Sequence, residues 1–247
     1  MDQQPALDIS VVIPAYNEEE ALPPLLDEVF AVLNRLGRPF EVIVIDDGSH
    51  DGTPAFLERR REITPGLRVL TLIPNSGQTA AFEAGFGAAR GEFIITMDAD
   101  GQNDPADIPR FIEVAARQPI ETDFCVAGYR KNRKDTAWKR FQSRIANRVR
   151  QRLLHDETPD TGCGLKLIPR STFLSLPYFD HMHRFLPALV KRLEGRVFVV
   201  EVNHRDRHCG TSNYTMLSRL GVGIVDLFGV IWLLRRAKCP HPQEVTD

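Results

Sequence analysis

Residues 93–105 read FIITMDADGQNDP. The opening run is apolar without alternation, the pattern of a short strand covered on both faces of a parallel sheet. Polar chain begins at Asp98, and Asp100 follows one residue on. A strand ending in acids delivers them to the carboxyl edge of a sheet, where open α/β sheets collect ligands. Two carboxylates this close repel each other and are costly to bury without a partner. They require solvent or a cation, and a divalent metal carrying phosphate oxygens would serve. Taken alone, the same triplet also fits a solvated turn.

On both sides of this stretch, apolar runs alternate with helical patterns. ISVVIP (9–14), FEVIVID (40–46), LRVLTLI (67–73), FIITMD (93–98) and FCVAG (124–128) read as strands. Helical patterns cover about 18 residues from Glu18, then Pro54 to Glu62, Thr79 to Ala89 and Asp107 to Gln118. Strand, helix, strand at this spacing predicts an α/β fold, a Rossmann-like, mostly parallel central sheet flanked by helices. The second half adds a basic helix from about Lys134 to Leu154 and the segment TGCGLKLIP (161–169). A helix from His183 to Leu193, a strand VFVVEV (197–202), a polar loop and an apolar tail helix follow. One nucleotide-binding-like domain over 7–210 and a helical, acceptor-facing extension over 211–239 are expected.

The chain has 247 residues, enough for one large core. A formal charge of −2 makes no case for a nucleic-acid partner. Cys125, Cys163, Cys209 and Cys239 show neither metal spacing nor a disulfide framework. The polar start MDQQPALDIS does not read as a signal peptide. Charge is uneven: residues 129–152 are rich in Lys and Arg with a single acid, Asp135. Such a helix has few partners for internal pairing and suits an anion or an anionic headgroup, the alternative being a solvated surface helix. Residues 220–234, LGVGIVDLFGVIWLL, are interrupted by Asp226 and followed by Arg235, Arg236 and Lys238. This run falls short of the roughly 20 residues that span a bilayer. It fits an interfacial helix or a surface docked on a membrane partner, or else packs on the protein's own sheet.

Three further segments carry candidate chemistry. In VVIPAYNEE (11–19), Pro14 lacks an N–H and ends a ladder, and Asn17 can cap the following helix. In IDDGS (45–49), Asp46 and Asp47 reach the carboxyl edge, where one could bind a base or ribose hydroxyl, and Gly48 permits a tight turn. PNSGQTAAFEAGFGAARG (74–91) sets Asn75, Gly77 and Gln78 before a helix of small residues, which permits close approach to the sheet or to a ligand. Neither the dinucleotide glycine fingerprint nor a P-loop is present. What remains is a nucleotide binder that handles diphosphate through a metal. Arg205 and Arg207, in NHRDRHCGTSNY (203–214), have guanidinium forks suited to phosphate.

Together these segments resemble the family 2 glycosyltransferases of the GT-A fold, most of all the branch that includes dolichyl-phosphate mannosyltransferases and undecaprenyl-phosphate glycosyltransferases. VVIPAYNEE, VIDDGS, NSGQTAAFEAGF, DADGQNDP, DTGCGLKLIPR and GTSNY occur in that family's order between about Ile9 and Leu234. The resemblance implies donor-nucleotide contacts from Pro14, Tyr16, Glu18, Asp46, Asp47, Asn75, Gln78, Asp98 and Ala99. It implies Mg2+ or Mn2+ on Asp98, Asp100 and Gln102, and catalytic roles for Asp98, Asp100 and Arg207. It also implies an acceptor-phosphate site at Arg130, Lys139, Arg140 and Ser143. Two departures stand out: Ser212, Asn213 and Tyr214 replace the family's Ser-Lys-Tyr, and Lys139 stands where relatives often carry arginine.

By this resemblance the expected activity is metal-dependent, inverting transfer of a sugar from a nucleotide-diphosphate donor to a polyprenyl phosphate, at the cytoplasmic face of a membrane. The protein would bind that surface peripherally or through an integral membrane partner. A phosphate monoester is already charged near neutral pH and needs no base. A hydroxyl acceptor, the alternative within the family, needs a carboxylate in reach, and Asp160 is the first candidate. A noncatalytic sugar-nucleotide or membrane-interaction module is the alternative outside enzymes.

Overall fold

The computed structural model describes residues 8–119, 122–130, 150–154, 156, 158–205 and 216–236. The chain runs β1 (Ile9–Ala15), α1 (Leu22–Leu36), β2 (Phe40–Asp46), α2 (Thr53–Ile63), β3 (Leu67–Thr71), α3 (Gln78–Ala88), β4 (Phe93–Thr96) and α4 (Ile108–Ala115). It continues through β5 (Phe124–Tyr129), β6 (Lys166–Pro169), α5 (Arg170–Leu174), α6 (Leu186–Arg192), β7 (Arg196–Glu201) and α7 (Met216–Arg235). The strand order is β3-β2-β1-β4-β6-β5-β7. Neighbours are parallel except at β6, which runs antiparallel to both β4 and β5. The expected α/β architecture with a mostly parallel sheet is therefore present. β6 is the strand that TGCGLKLIP did not announce, because Lys166 breaks a run too short to show alternation.

Period-two alternation distributes the core between the two faces of the sheet. Ile9, Val11, Ile13, Val42 and Val44 face the layer formed by α1 and α4. Val12, Ile43 and Ile45 face the opposite layer, formed by α3, α5, α6 and α7. α1 buries Leu22, Leu25, Leu26, Val29, Phe30 and Leu33, an i, i+3, i+4, i+7 stripe. Each such side chain contributes about 1.5–3 kcal/mol when fully buried. α3 lies close on the sheet because a β-carbon at Gly85 would collide with the Val12 and Ile45 side chains. The small-residue helix thus serves contact with the sheet.

The first helix begins later than its acidic start predicts. Pro23 and Pro24 are tolerated only in a first turn, where their missing N–H groups need no partner, so α1 opens at Leu22. Ala21 occupies the cap position with no side-chain bond. Asn17 is therefore not the cap. It adopts a left-handed φ of 55° and accepts at Oδ1 from the His50 N–H, 2.8 Å away. Pro14 behaves as expected on one side of β1. The Val12 carbonyl accepts from Met97 N and the Ala15 carbonyl from Asp47 N, so by alternation Pro14 faces the side that β4 has already left.

α7 has two unlike faces. Val230 is fully buried in the second core layer, and Leu227, Ile231 and Leu234 pack beside it. Asp226 Oδ2 lies 3.0 Å from His181 Nδ1, without the angle of a hydrogen bond. Ile224, Val225, Phe228 and Trp232 are exposed, with the Arg236 guanidinium 5.9 Å from the Trp232 ring centre. Among the described residues no helix is long and apolar enough to cross a membrane. Val230→Asp should destabilise the fold by several kcal/mol, since it buries an unpaired carboxylate. Phe228→Asp, on the open face, should shift stability by less than about 0.5 kcal/mol. Denaturant unfolding of the two variants checks the docking, and equal effects would refute it.

Candidate active site

β4 ends at Thr96 while β1 runs on to Ala15, so the chain turns outward at Asp98 on the carboxyl edge. Three contacts hold that residue, from Gln78, Asn103 and Gly164. Asp98 Oδ1 accepts from Gln78 Nε2 at 2.9 Å, and its backbone N–H donates to Asn103 Oδ1 at 3.0 Å. Asp100 Oδ1 accepts from the Gln102 N–H at 3.1 Å, closing the turn between them. From the far side, Gly164 presses directly against the Asp98 carboxylate, and a β-carbon there would overlap Oδ2 and come within 2.8 Å of Asn103 Oδ1. Thr96 Oγ1 ties that glycine's carbonyl in place at 2.5 Å. The compact backbone of the TGCG segment thus packs on the acid.

Charge explains the state of the pair. Burial, reinforced by the neighbouring Asp100, pushes the Asp98 carboxyl up to about 6, against the opposing pull of Lys166, Arg130 and the Gln78 amide. Lys166, only 4% exposed, sits in β6 opposite Thr96 and donates to the carbonyls of Thr161 (3.3 Å) and Cys163. It is a cation at the centre of the molecule that sequence reading missed, and a lysine inside a short apolar run next to glycines was the available sign. His183 lies beside Thr79, its Nδ1 3.0 Å from Oγ1. Burial, with Lys166, Arg184 and His181 nearby, pushes this ring down to about 3, so it is neutral. Burial raises the Cys163 thiol and pushes Cys125 up to about 12, as suits packing residues.

The residues expected at the donor divide into two groups. Asp47 spends both carboxylate oxygens on the Ser76 and Gly77 N–H groups, at 2.7 and 2.8 Å, and its carbonyl accepts from Asn75 Nδ2 at 2.7 Å. Asp47 and Asn75 therefore shape the loop that leads into α3. Asp46 Oδ1 accepts from the Ser49 N–H at 3.0 Å, and Gly48 turns the chain at φ 72°. Tyr16 is exposed with its ring edge-on to His50, and the Glu18 N–H donates to Thr53 Oγ1 at 3.0 Å. Ala99 is buried between the two acids. These groups all lie at the strand ends of β1, β2 and β4, whose register brings Ala15 opposite Asp46 and Val12 opposite Thr96.

On the other flank, Arg130 grips Asp160 at two points, Nε to Oδ2 at 2.6 Å and Nη2 to Oδ1 at 2.9 Å. Arg150 donates to the carbonyl of Thr158 at 2.7 Å and to Thr161 Oγ1, and pairs with the buried Asp156 at 3.2 Å. Arg130 thus stands at the expected carboxyl edge with part of its fork already engaged. Arg205, expected to bind phosphate from a flexible loop, is instead paired with Glu28 at 2.6 Å and Asp104 at 2.7 Å. Those two acids come from α1 and from the turn after β4, distant in sequence, which is why the pairing was not legible. Lys139, Arg140, Ser143 and Arg207 lie outside the described residues.

Among the described residues no three His, Cys, Asp or Glu side chains form a ready-made metal centre. Asp98 and Asp100, with Gln102 nearby, fit a divalent ion that takes its remaining ligands from phosphate and water, as Mg2+ commonly does. The raised Asp98 carboxyl fits the same reading, because a cation would offset the burial and the Asp100 repulsion that raise it. The sign follows: below about pH 6 Asp98 takes up a proton that a metal must displace. Mn2+ affinity, followed by electron paramagnetic resonance, should weaken as pH falls from 7 to 5, and a flat profile would contradict it. Gly164→Ala should cut metal-dependent sugar transfer by about a hundred-fold or more while the protein stays folded, because the new methyl displaces the Asp98 carboxylate. Transfer rates near wild type would show that the acid is free to move.

The comparisons with known proteins agree with this fold. Residues 10–175 match glycosyl transferase family 2. A dodecaprenyl-phosphate galacturonate synthase of Rhizobium johnstonii is 36% identical over 95% of this chain and 69% of its own length. An undecaprenyl-phosphate 4-deoxy-4-formamido-L-arabinose transferase of Pseudomonas paraeruginosa is 38% identical over 87% of this chain and 62% of its own. The chain thus spans roughly two thirds of the curated relatives it matches. Glucosyl-3-phosphoglycerate synthase from Mycobacterium tuberculosis, solved with Mn2+, uridine diphosphate and phosphoglyceric acid, superposes at a TM-score of 0.65. At 21% identity, over 95% of this chain and 80% of that one, it shares the fold. On the sequence match and the relatives together, the chain belongs to glycosyl transferase family 2.

Proposed function

We propose that this chain moves a sugar from a nucleotide-diphosphate donor to a polyprenyl phosphate in one inverting displacement. The observation that carries the choice of acceptor is the two-point grip of Arg130 on Asp160. A hydroxyl acceptor needs a carboxylate able to take its proton, and the first candidate for that base is held by a guanidinium. A phosphate monoester attacks as an anion already, since its second pKa is near 6. The relatives named for dodecaprenyl and undecaprenyl phosphates support the same acceptor class.

In this reading Asp46, Tyr16 and Glu18 line the nucleotide end at the mouths of β1 and β2, with Pro14 behind them. Asp47 and Asn75 shape the next loop, and Gln78 aligns Asp98. Mg2+ or Mn2+ held by Asp98, Asp100 and Gln102 would supply charge stabilisation for the departing diphosphate. Arg130, with Lys139, Arg140 and Ser143, orients the acceptor phosphate toward the anomeric carbon, and Arg207 offsets negative charge on the donor side. We assign residues 7–210 to this chemistry and 211–239 to a membrane-facing extension at a cytoplasmic leaflet. The open face of α7, with Phe228 and Trp232 above Arg235 and Arg236, suits an anionic lipid surface.

The test is an acceptor screen with several nucleotide sugars, setting vesicle-borne polyprenyl phosphates against free and lipid-linked hydroxyl acceptors. Transfer is expected to the phosphates, to rise with anionic lipid, and to fall about a hundred-fold or more when Asp98 and Asp100 are both changed to Asn. Transfer to hydroxyls alone would defeat the acceptor assignment, and full turnover by the double variant would defeat the metal assignment.

A further inference from the structure

The segment 203–205 runs beside the loop that follows β4 and is fastened to it along its length. His204 bridges antiparallel to Asn103, the residue whose Oδ1 accepts from the Asp98 N–H. The Arg205 N–H donates to the Gln102 carbonyl at 3.1 Å. The Asn203 N–H donates to Asp107 Oδ2 at 2.8 Å, and its side-chain amide donates to Asp104 Oδ2 at 3.3 Å. The Arg205 guanidinium then spans two elements, with Nη1 on Glu28 Oε2 of α1 at 2.6 Å and Nη2 on Asp104 Oδ1 at 2.7 Å.

We infer that Arg205 is a positioning residue for the metal-binding loop, clamping residues 102–104 to α1 through Glu28 and Asp104. The inference rests on the reading of Asp98, Asp100 and Gln102 as the metal site. An exposed ion pair contributes little by itself. Here the same residue supplies a main-chain bond to Gln102 and a guanidinium shared by two carboxylates, so its effect is on geometry. Two acids offset one cation, which leaves Arg205 little net positive charge to offer a diphosphate. Groups that orient metal ligands from behind typically account for 10–100-fold in affinity.

The test compares full-length wild type with Arg205→Gln, Arg205→Lys and Glu28→Gln. Mn2+ binding is followed by electron paramagnetic resonance, alone and with inorganic pyrophosphate, and pyrophosphate binding is measured separately in EDTA. Arg205→Gln should bind Mn2+ about 10–100-fold more weakly, Glu28→Gln should lose less, and Arg205→Lys should recover part of the loss. Pyrophosphate affinity in EDTA should not move. Wild-type Mn2+ affinity in both Arg205→Gln and Glu28→Gln would overturn the inference. So would a loss of pyrophosphate binding in EDTA on Arg205→Gln, because Arg205 would then be a phosphate ligand. Should Arg205→Gln fail to unfold cooperatively, Glu28→Gln and Asp104→Asn decide by the same readout. A wild type that holds no Mn2+ with or without pyrophosphate would sink the metal reading itself, a result distinct from unaffected variants.

Discussion

Two carboxylates one residue apart, half-sheltered at the end of a buried strand, impose the main electrostatic constraint on this molecule. Asp98 is closely hemmed in: Gly164 packs behind its carboxylate, Gln78 donates to Oδ1 and Asn103 accepts from its backbone N–H. Burial, reinforced by repulsion from Asp100, raises its carboxyl, and the neighbouring cations Lys166 and Arg130 only partly compensate. The arrangement keeps negative charge concentrated where it can draw a cation. Carboxylates already neutralised by salt bridges would have less to offer one.

The same constraint accounts for the turn of the sheet at β6. An antiparallel strand beside β4 brings the 161–164 segment back across the carboxyl edge, against the acids that β4 has just delivered. A parallel strand there would enter from the opposite edge and leave its own carboxyl end, and another loop, in that place. Gly164 and Lys166 do different work two residues apart. The glycine gives the acid its close contact, and the lysine secures the loop carbonyls from below.

How much of this could be read in the sequence depended on whether a signal was local. The strands covered on both faces, the acids at strand ends and the small residues of α3 follow from the apolar runs and chain order, and the sheet repeats them. Pro23 and Pro24 were equally local, and they mark the start of α1 more firmly than the acidic run before it. The partners of Arg205 and Arg130 were not local: Glu28 lies 177 residues from Arg205, and Asp160 lies 30 from Arg130. A basic side chain in a loop looks available until the fold shows which acid reaches it. β6 escaped for a related reason, since a short strand with a buried lysine has no pattern of its own and exists through its two neighbours.

α7 shows how one stretch of apolar sequence can answer to two environments. Its composition fitted an interfacial helix, with a core helix as the alternative, and the helix divides those roles between its sides. Val230 closes the second core layer and Asp226 faces His181, while Phe228 and Trp232 remain uncovered. A helix anchored in this way cannot roll to bury its open face without giving up Val230. Whatever covers Phe228 and Trp232 must come to the protein, and it meets a surface fixed relative to α6, the sheet and the acids at its edge.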